Sequence, residues 1–261
     1  MVTQQLRLGA AITLAATLVL PSCTHPEQPA PQPSSADRFQ ITFRWILNPS
    51  VDLMSPEGTF IRATAESWRE SWDAFGRGMD AIRERGYPGF DRAYNHSYDR
   101  AGTTPSDYWT NQVGGTRPSD GPYVGTSYFE VVALRRDGDR FSADVCAYNS
   151  QTAGKTKDGR YESRGAAASP DTFTFGPDPK LPPDQQHSPM ANQRGPARRP
   201  ADDVFGTWVL IDMTSIDRTA LAERCKKLAP GTPADRPDPS VSTDPPPTLP
   251  PDPGWPQGSR A

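Results

Sequence analysis

Histidine is scarce in this chain, with three in 261 residues, and no two stand at ligand spacing. A zinc site wants three or four converging ligands, so the sequence implies no metal, and no motif implies a cofactor. G-x-S-x-G is absent, which leaves a nucleophile elbow unsupported. Neither sign of charge dominates: 28 Lys and Arg against 31 Asp and Glu give a net charge of −3, without the basic excess that nucleic-acid partners require. Beyond the first 22 residues, no run approaches the roughly 20 apolar residues that a membrane-spanning helix needs. Hydrophobic residues make up only 34%, too few for a chain that is core throughout. What is abundant is proline, with 30 residues, about twice the usual share. That combination predicts a folded body flanked by extended segments.

The N-terminus begins with Arg7 and a free amine, followed by an apolar stretch from Leu8 to Leu20. This has the charge order and the 7–15-residue apolar length of a secretory signal. Leu20-Pro21-Ser22-Cys23 resembles the bacterial lipobox, with Pro21 at a position where a small residue is commoner. The resemblance implies cleavage after residue 22, a diacylglyceryl group on Cys23, and a location on the outer face of the cytoplasmic membrane. Two acyl chains hold a protein at a membrane stably where one does not. The alternative is an ordinary cleaved signal with Cys23 incidental.

Four segments follow: a signal peptide over 1–22, a proline-rich tether over 23–37, a domain over 38–228, and a proline-rich tail over 229–261. Repeated prolines favour polyproline II and build no core of their own, so the tail is expected to be disordered and solvated. At about 3.1 Å per residue it would reach roughly 100 Å. Its single large residue, Trp255, either docks on the domain or meets a partner, such as an envelope protein or cell-wall component. The chain has three cysteines. With Cys23 lipidated, Cys146 and Cys225 remain as a disulfide pair in an oxidising compartment, or as two free thiols. Closing a loop of about 80 residues would stabilise the fold by about 4–5 kcal/mol in the chain-entropy model.

Within the domain, "FQITFRWIL" alternates, placing Phe39, Ile41, Phe43, Trp45 and Leu47 on one strand face. Ser55, Pro56 and Glu57 signal a helix start. Phe60, Ile61, Ala65, Trp68, Trp72, Phe75, Met79 and Ile82 continue as one apolar stripe. Gly76 and Gly78 kink or split that helix, and "YPGF" at 87–90 predicts a type II turn. Further on, "TSYFEVVAL" and "FSADVCAYN" form a hairpin, "DTFTF" and "FGTWVLIDM" supply two more strands, and a short helix over 219–228 carries Cys225. Helices first and antiparallel strands afterwards make the class α+β. This element order resembles the NTF2-like (SnoaL/ketosteroid-isomerase-like) cones, in which a kinked amphipathic helix packs on a bent antiparallel sheet. "SPEGTFIRA", "GYPGF" and "FGTWVLIDM" beside the lipobox also resemble uncharacterised actinobacterial envelope lipoproteins. That likeness implies a location and an architecture, not an activity.

Candidate chemistry is thin. "GRGMDA" at 76–81 fits G-x-G-x-x-A, with Asp99 about 20 residues on, but a helix rather than a strand precedes it. Glu66 and Glu70, one turn apart among Arg62, Arg69, Asp73 and Arg77, read as a solvated, ion-paired face. Arg194, Arg198 and Arg199 read as a small basic cluster in a flexible loop. The cone resemblance implies an apolar pocket in which Asp144 and Tyr148, if turned inward, would supply a carboxylate base and a phenolic donor; His96, Asp99 and Tyr108 are looser pocket candidates. Register weighs against the first pair, because Phe141 and Val145 alternate with them as the core set. The expected role is therefore non-catalytic binding or assembly in the cell envelope. The alternative is a small-molecule enzyme or carrier using such a pocket.

Overall fold

The computed structural model describes residues 38–94, 113–115, 121–164, 169–214 and 218–258. Cys23, the tether, His96, Asp99 and Tyr108 lie outside them. The first strand, β1 (Phe39–Ile46), buries Phe39, Ile41, Phe43 and Trp45 as the alternation predicts. Leu47 falls past the strand end and is exposed, a correction to its place in that row. Helix α1 (Pro56–Ser71) starts where its signals lie: the Ser55 hydroxyl accepts the Gly58 N–H at 3.1 Å, with Pro56 in the first turn. The stripe then divides rather than continuing. Gly78 takes a positive φ of 63°, and α2 (Met79–Arg85) starts after it. Gly89, at φ 83°, completes the turn 87–90, closed by the Phe90 N–H on the Tyr87 carbonyl at 2.9 Å. Only glycine adopts that angle without strain. The single turn α3 (Phe90–Ala93) follows.

The strands are β2 (Tyr123–Asp137), β3 (Arg140–Tyr148), β4 (Thr152–Lys155), β5 (Tyr161–Ser163), β6 (Ser169–Pro177), β7 (Trp208–Thr214) and β8 (Ser240–Ser242), with α4 (Arg218–Arg224) between the last two. They form one eight-stranded sheet in the order β7-β6-β3-β2-β4-β5-β8, with β1 paired to β2. Every pairing is antiparallel except β1 with β2. The class is α+β, and the sheet is mixed rather than wholly antiparallel.

The two faces of β3 separate two interiors. Phe141, Ala143, Val145 and Ala147 join the main core with α1. There Phe60 stacks on Phe175 at 4.7 Å and meets the edge of Phe205 at 5.5 Å. Cys146 and Tyr148 turn the other way, into a smaller cluster with Leu221 and Cys225 beneath α4. Cys146 and Cys225 are joined in a disulfide.

Two expectations are overturned together. Glu66 and Glu70 do not lie on a solvated face: both are buried, as is Arg62. Nor is the segment after residue 229 a solvated tail, since 230–258 lies on the domain as a strap. The prolines prevent it from building a core, but an extended chain keeps its backbone groups free to cap a strand edge. At β1 the Trp45 N–H donates to the Asp252 carbonyl at 2.8 Å, and the Asp252 N–H donates to the Phe43 carbonyl at 3.1 Å. Trp255 and Ala197 then exchange backbone hydrogen bonds at 2.9 Å. Gly254 has no room for a side chain, because a Cβ there would lie 2.4 Å from the Gly195 carbonyl oxygen.

The Trp255 side chain is fully buried over α1. Its Nε1–H donates to Glu66 Oε2 at 2.7 Å, and the Arg62 guanidinium lies 4.3 Å from its ring centre. Arg62 also donates to the carbonyls of Gln193 (2.6 Å), Pro253 (2.8 Å) and Gly254 (3.0 Å). In the 176–203 loop, Arg198 and Arg199 are clamps as well rather than members of a loose cluster, while Arg194 is exposed. Arg198 donates to the Ile41 carbonyl, and Arg199 donates to the Gly86 carbonyl at 2.8 Å. Strap and loop together cover the polar side of α1, which is why Arg62, Glu66 and Glu70 are buried.

Candidate functional site

Between α1 and the inward sheet face lies an open cleft of about 1190 Å³. That is somewhat above the usual range of small-molecule sites, about 300–1,000 Å³. α1 and its C-cap supply one wall with Ala65, Trp68 and Trp72, and Trp68 is held by stacking on Tyr94 at 5.5 Å and by an edge contact with Trp72 at 5.9 Å. The floor is laid by alternation: Phe129 from β2, Val145 and Ala147 from β3, Phe173 from β6 and Met213 from β7. β4 and β5 form a rim that carries Lys155 and Glu162.

One member of the floor breaks the pattern. Asp171 stands opposite Val145 in the β3–β6 register. It is two residues before Phe173 and four before Phe175, so it shares their inward face. It is partly open to the cleft and has no hydrogen-bond or ion-pair partner among the described residues. Burial alone pushes its carboxyl up to about 7. A carboxylate on an apolar floor without donors is costly, and ionisable groups placed that way concentrate at functional sites. Sequence reading missed it, although the alternation of "DTFTF" contains the signal: Asp171 sits in the row of the two phenylalanines.

The other charges of the cleft are already matched or stand at its edge. Arg69 pairs with Asp73 at 3.1 Å, and Arg164 pairs with Glu162. Lys155 lies over the Tyr161 ring at 5.9 Å. Lys157 is exposed and has no anionic partner among the described residues.

Asp144 and Tyr148 do not enter this cleft; they point from the opposite face of β3. Asp144 receives two hydrogen bonds from Arg135, both at 2.8 Å, and one from Thr172 at 2.9 Å. Burial works to raise its carboxyl, but these bonds and the charges of Arg135 and Arg224 outweigh it and hold the group below the usual aspartate range. Tyr148 donates to Glu130 at 2.7 Å, and burial together with that carboxylate raises the phenol. Both are locked into ion-paired surroundings and offer neither a base nor an acid near neutrality.

The buried carboxylates Glu66 and Glu70 of α1 are held by residues from other segments. Glu66 accepts from Trp45 Nε1, the Tyr87 hydroxyl and Trp255 Nε1, each at 2.7 Å. Burial pushes its carboxyl up, while Arg62 and the three donors pull it back. Three donors and no acceptor match the ionised form. The Tyr87 phenol is raised well above its ordinary value, by burial first and then by Glu66 and Glu70. Glu70 meets Arg85 at 3.0 Å and Arg199 at 3.5 Å.

Among the described residues, no group of His, Cys, Asp and Glu is arranged to hold a metal. No helix among them is long and apolar enough to cross a membrane. Compared with known proteins, the chain matches no family model, no curated protein and no solved structure.

Proposed function

We propose that this chain is a lipid-anchored protein of the cell envelope, held outside the cytoplasmic membrane through Cys23, whose domain binds a small amphipathic molecule without transforming it. The observation that carries the binding role is the cleft: an aromatic wall on α1 facing an apolar floor, with a single carboxyl set into that floor. The Cys146–Cys225 disulfide supports an oxidising compartment, and the lipobox-like "LPSC" supports the anchor. A helix packed over a sheet with a cleft between them is also the arrangement of NTF2-like cones, and supports reading the domain as one. The docked strap argues against a free proline-rich arm that gathers partners.

A neutral apolar dye such as Nile red tests the cleft. Binding with fluorescence enhancement is expected, and Ala147→Trp, which fills the floor, should weaken it about tenfold or more while the protein still melts cooperatively. Binding unaffected by Ala147→Trp would place the dye elsewhere and refute the reading. The anchor is tested separately by metabolic labelling with a palmitate analogue, which Cys23→Ala should abolish. Catalysis is a second reading, favoured by one observation: Asp171 titrates near neutrality within a cleft, as a general acid or base would.

A further inference from the structure

Asp171 raises a question that its neighbours answer only in part. Along β6, the inward row runs Asp171, Phe173, Phe175, and the last two are completely buried. Across the sheet, Asp171 faces Val145. The position shares its face with core residues, while Asp171 itself stands partly open to the cleft. A carboxylate there gives up hydration and gains no donor from any described residue. Glu66 shows how this fold satisfies a buried carboxylate when it is structural, with three donors at 2.7 Å. Among the described residues Asp171 has none of that provision, and it opens onto the cleft.

We infer that Asp171 is the recognition residue of the cleft, and that the molecule bound there is a hydrophobic amine. Its protonated nitrogen donates to the Asp171 carboxylate, and its apolar body lies between the α1 tryptophans and the sheet floor. This rests on the cleft being a binding site and specifies the chemistry of its ligand.

Three features select the amine over other ligands. A charge-assisted N⁺–H···O⁻ bond is about twice as strong as a neutral one, and the apolar side chains beside Asp171 reduce the screening around it. Aromatic walls attract cations through their ring faces, and Trp68 and Trp72 both line the cleft. An anion reaching the floor would meet Asp171 with like charge. The rim narrows the class further, because Lys155 and Lys157 repel every positive charge of a ligand, a penalty that grows with charge and disfavours a polyamine more than a single amine. One amine on an apolar body is what both levels of the cleft accept. The remaining charges are self-paired, Arg69 with Asp73 and Arg164 with Glu162, so they neither supply Asp171 with a cation nor compete for the ligand.

The test is calorimetric titration of the full chain at pH 8 with three probes of equal length: octylamine, 1-octanol and octanoate. Octylamine is expected to bind about tenfold or more tightly than octanol, the scale of one charge-assisted bond, with octanoate weakest. Asp171→Asn should bring octylamine to within about twofold of octanol and leave octanol unchanged. Equal affinity of amine and alcohol in the wild type, or an amine preference that survives Asp171→Asn, would overturn the assignment while leaving the cleft a binding site. Failure of all three probes to bind would overturn both. The wild-type comparison needs no variant, so it stands even if Asp171→Asn folds poorly.

Discussion

Glu66 and Asp171 are two carboxylates set into one domain with opposite surroundings. Glu66 lies on α1 between the sheet, the 176–203 loop and the strap, with an indole, a phenol and a second indole all donating to it and Arg62 one turn away. Asp171 lies across the core on β6, among apolar side chains and open to a cleft. The same chemical group thus ties segments together in one place and waits for a donor in the other. Burial alone does not separate a structural charge from a functional one; the count of donors supplied by the fold does.

That contrast is exposed first at Glu66. Glu66→Ala leaves two indoles and a phenol without their common acceptor and the Arg62 guanidinium without its nearby counter-charge, and should cost about 3–5 kcal/mol, the range for breaking a buried charge cluster from one side. Trp255→Ala should cost about as much, 3–5 kcal/mol for a buried tryptophan, whereas Trp255→Phe, which keeps a ring but loses the donor and part of the indole's volume, should cost less, about 1–3 kcal/mol. Urea denaturation of the three variants measures this, and a loss below about 1 kcal/mol in Glu66→Ala would erase the distinction. Next in size, Cys146→Ser with Cys225→Ser should cost about 2–5 kcal/mol, read from the same melts.

The sign reverses at Asp171. Replacing an unpaired carboxylate by a neutral isostere should stabilise the empty protein at pH 8, by about 1–3 kcal/mol on mutational scales for an uncompensated polar group. The pH dependence follows from linkage. The folded carboxyl titrates at about 7 and the unfolded one near 3.9, so between those values the folded state holds the extra proton. Stability from this group is therefore lost as pH rises from about 4 to 7, a slope that Asp171→Asn should flatten. A wild-type stability curve that rises across that window and is unchanged by the variant would contradict the assignment. The smallest effect belongs to Arg135→Ala. Arg135 is half exposed, and its pair with Asp144 is open to solvent on one side, so the cost should stay within about 1 kcal/mol. It should vanish at acid pH, as Asp144 protonates through its depressed value.

Local chemistry made much of this fold readable from sequence. The Ser55 cap, the Gly89 turn, the division of the helix near Gly78 and the face assignment in β3 all depend on neighbours within a few residues, and all appear where the local signals lie. What stayed hidden depends on distant segments. Glu66, Glu70 and Arg62 look solvent-facing until residues 193–199 and 252–255 arrive from far along the chain to cover them. The strap itself has no periodicity to read, because its structure is borrowed from the edge of β1. Asp171 was legible in principle, since one carboxylate in a row of alternating phenylalanines is a local anomaly, but its significance needs the cleft, which only the packed sheet and helix create.

The bond from Trp255 to Glu66 spans 189 residues. A chain that emerges in order, as during synthesis or secretion, therefore makes α1 long before it makes the segment that neutralises it. Throughout that interval Arg62 and Glu66 must remain hydrated, and helix and sheet cannot close fully over them. Closure that waits on contacts so remote is slow, so the domain stays pliable until the strap has passed. Burial of Arg62 and Glu66 is complete only once Trp255 has docked on them.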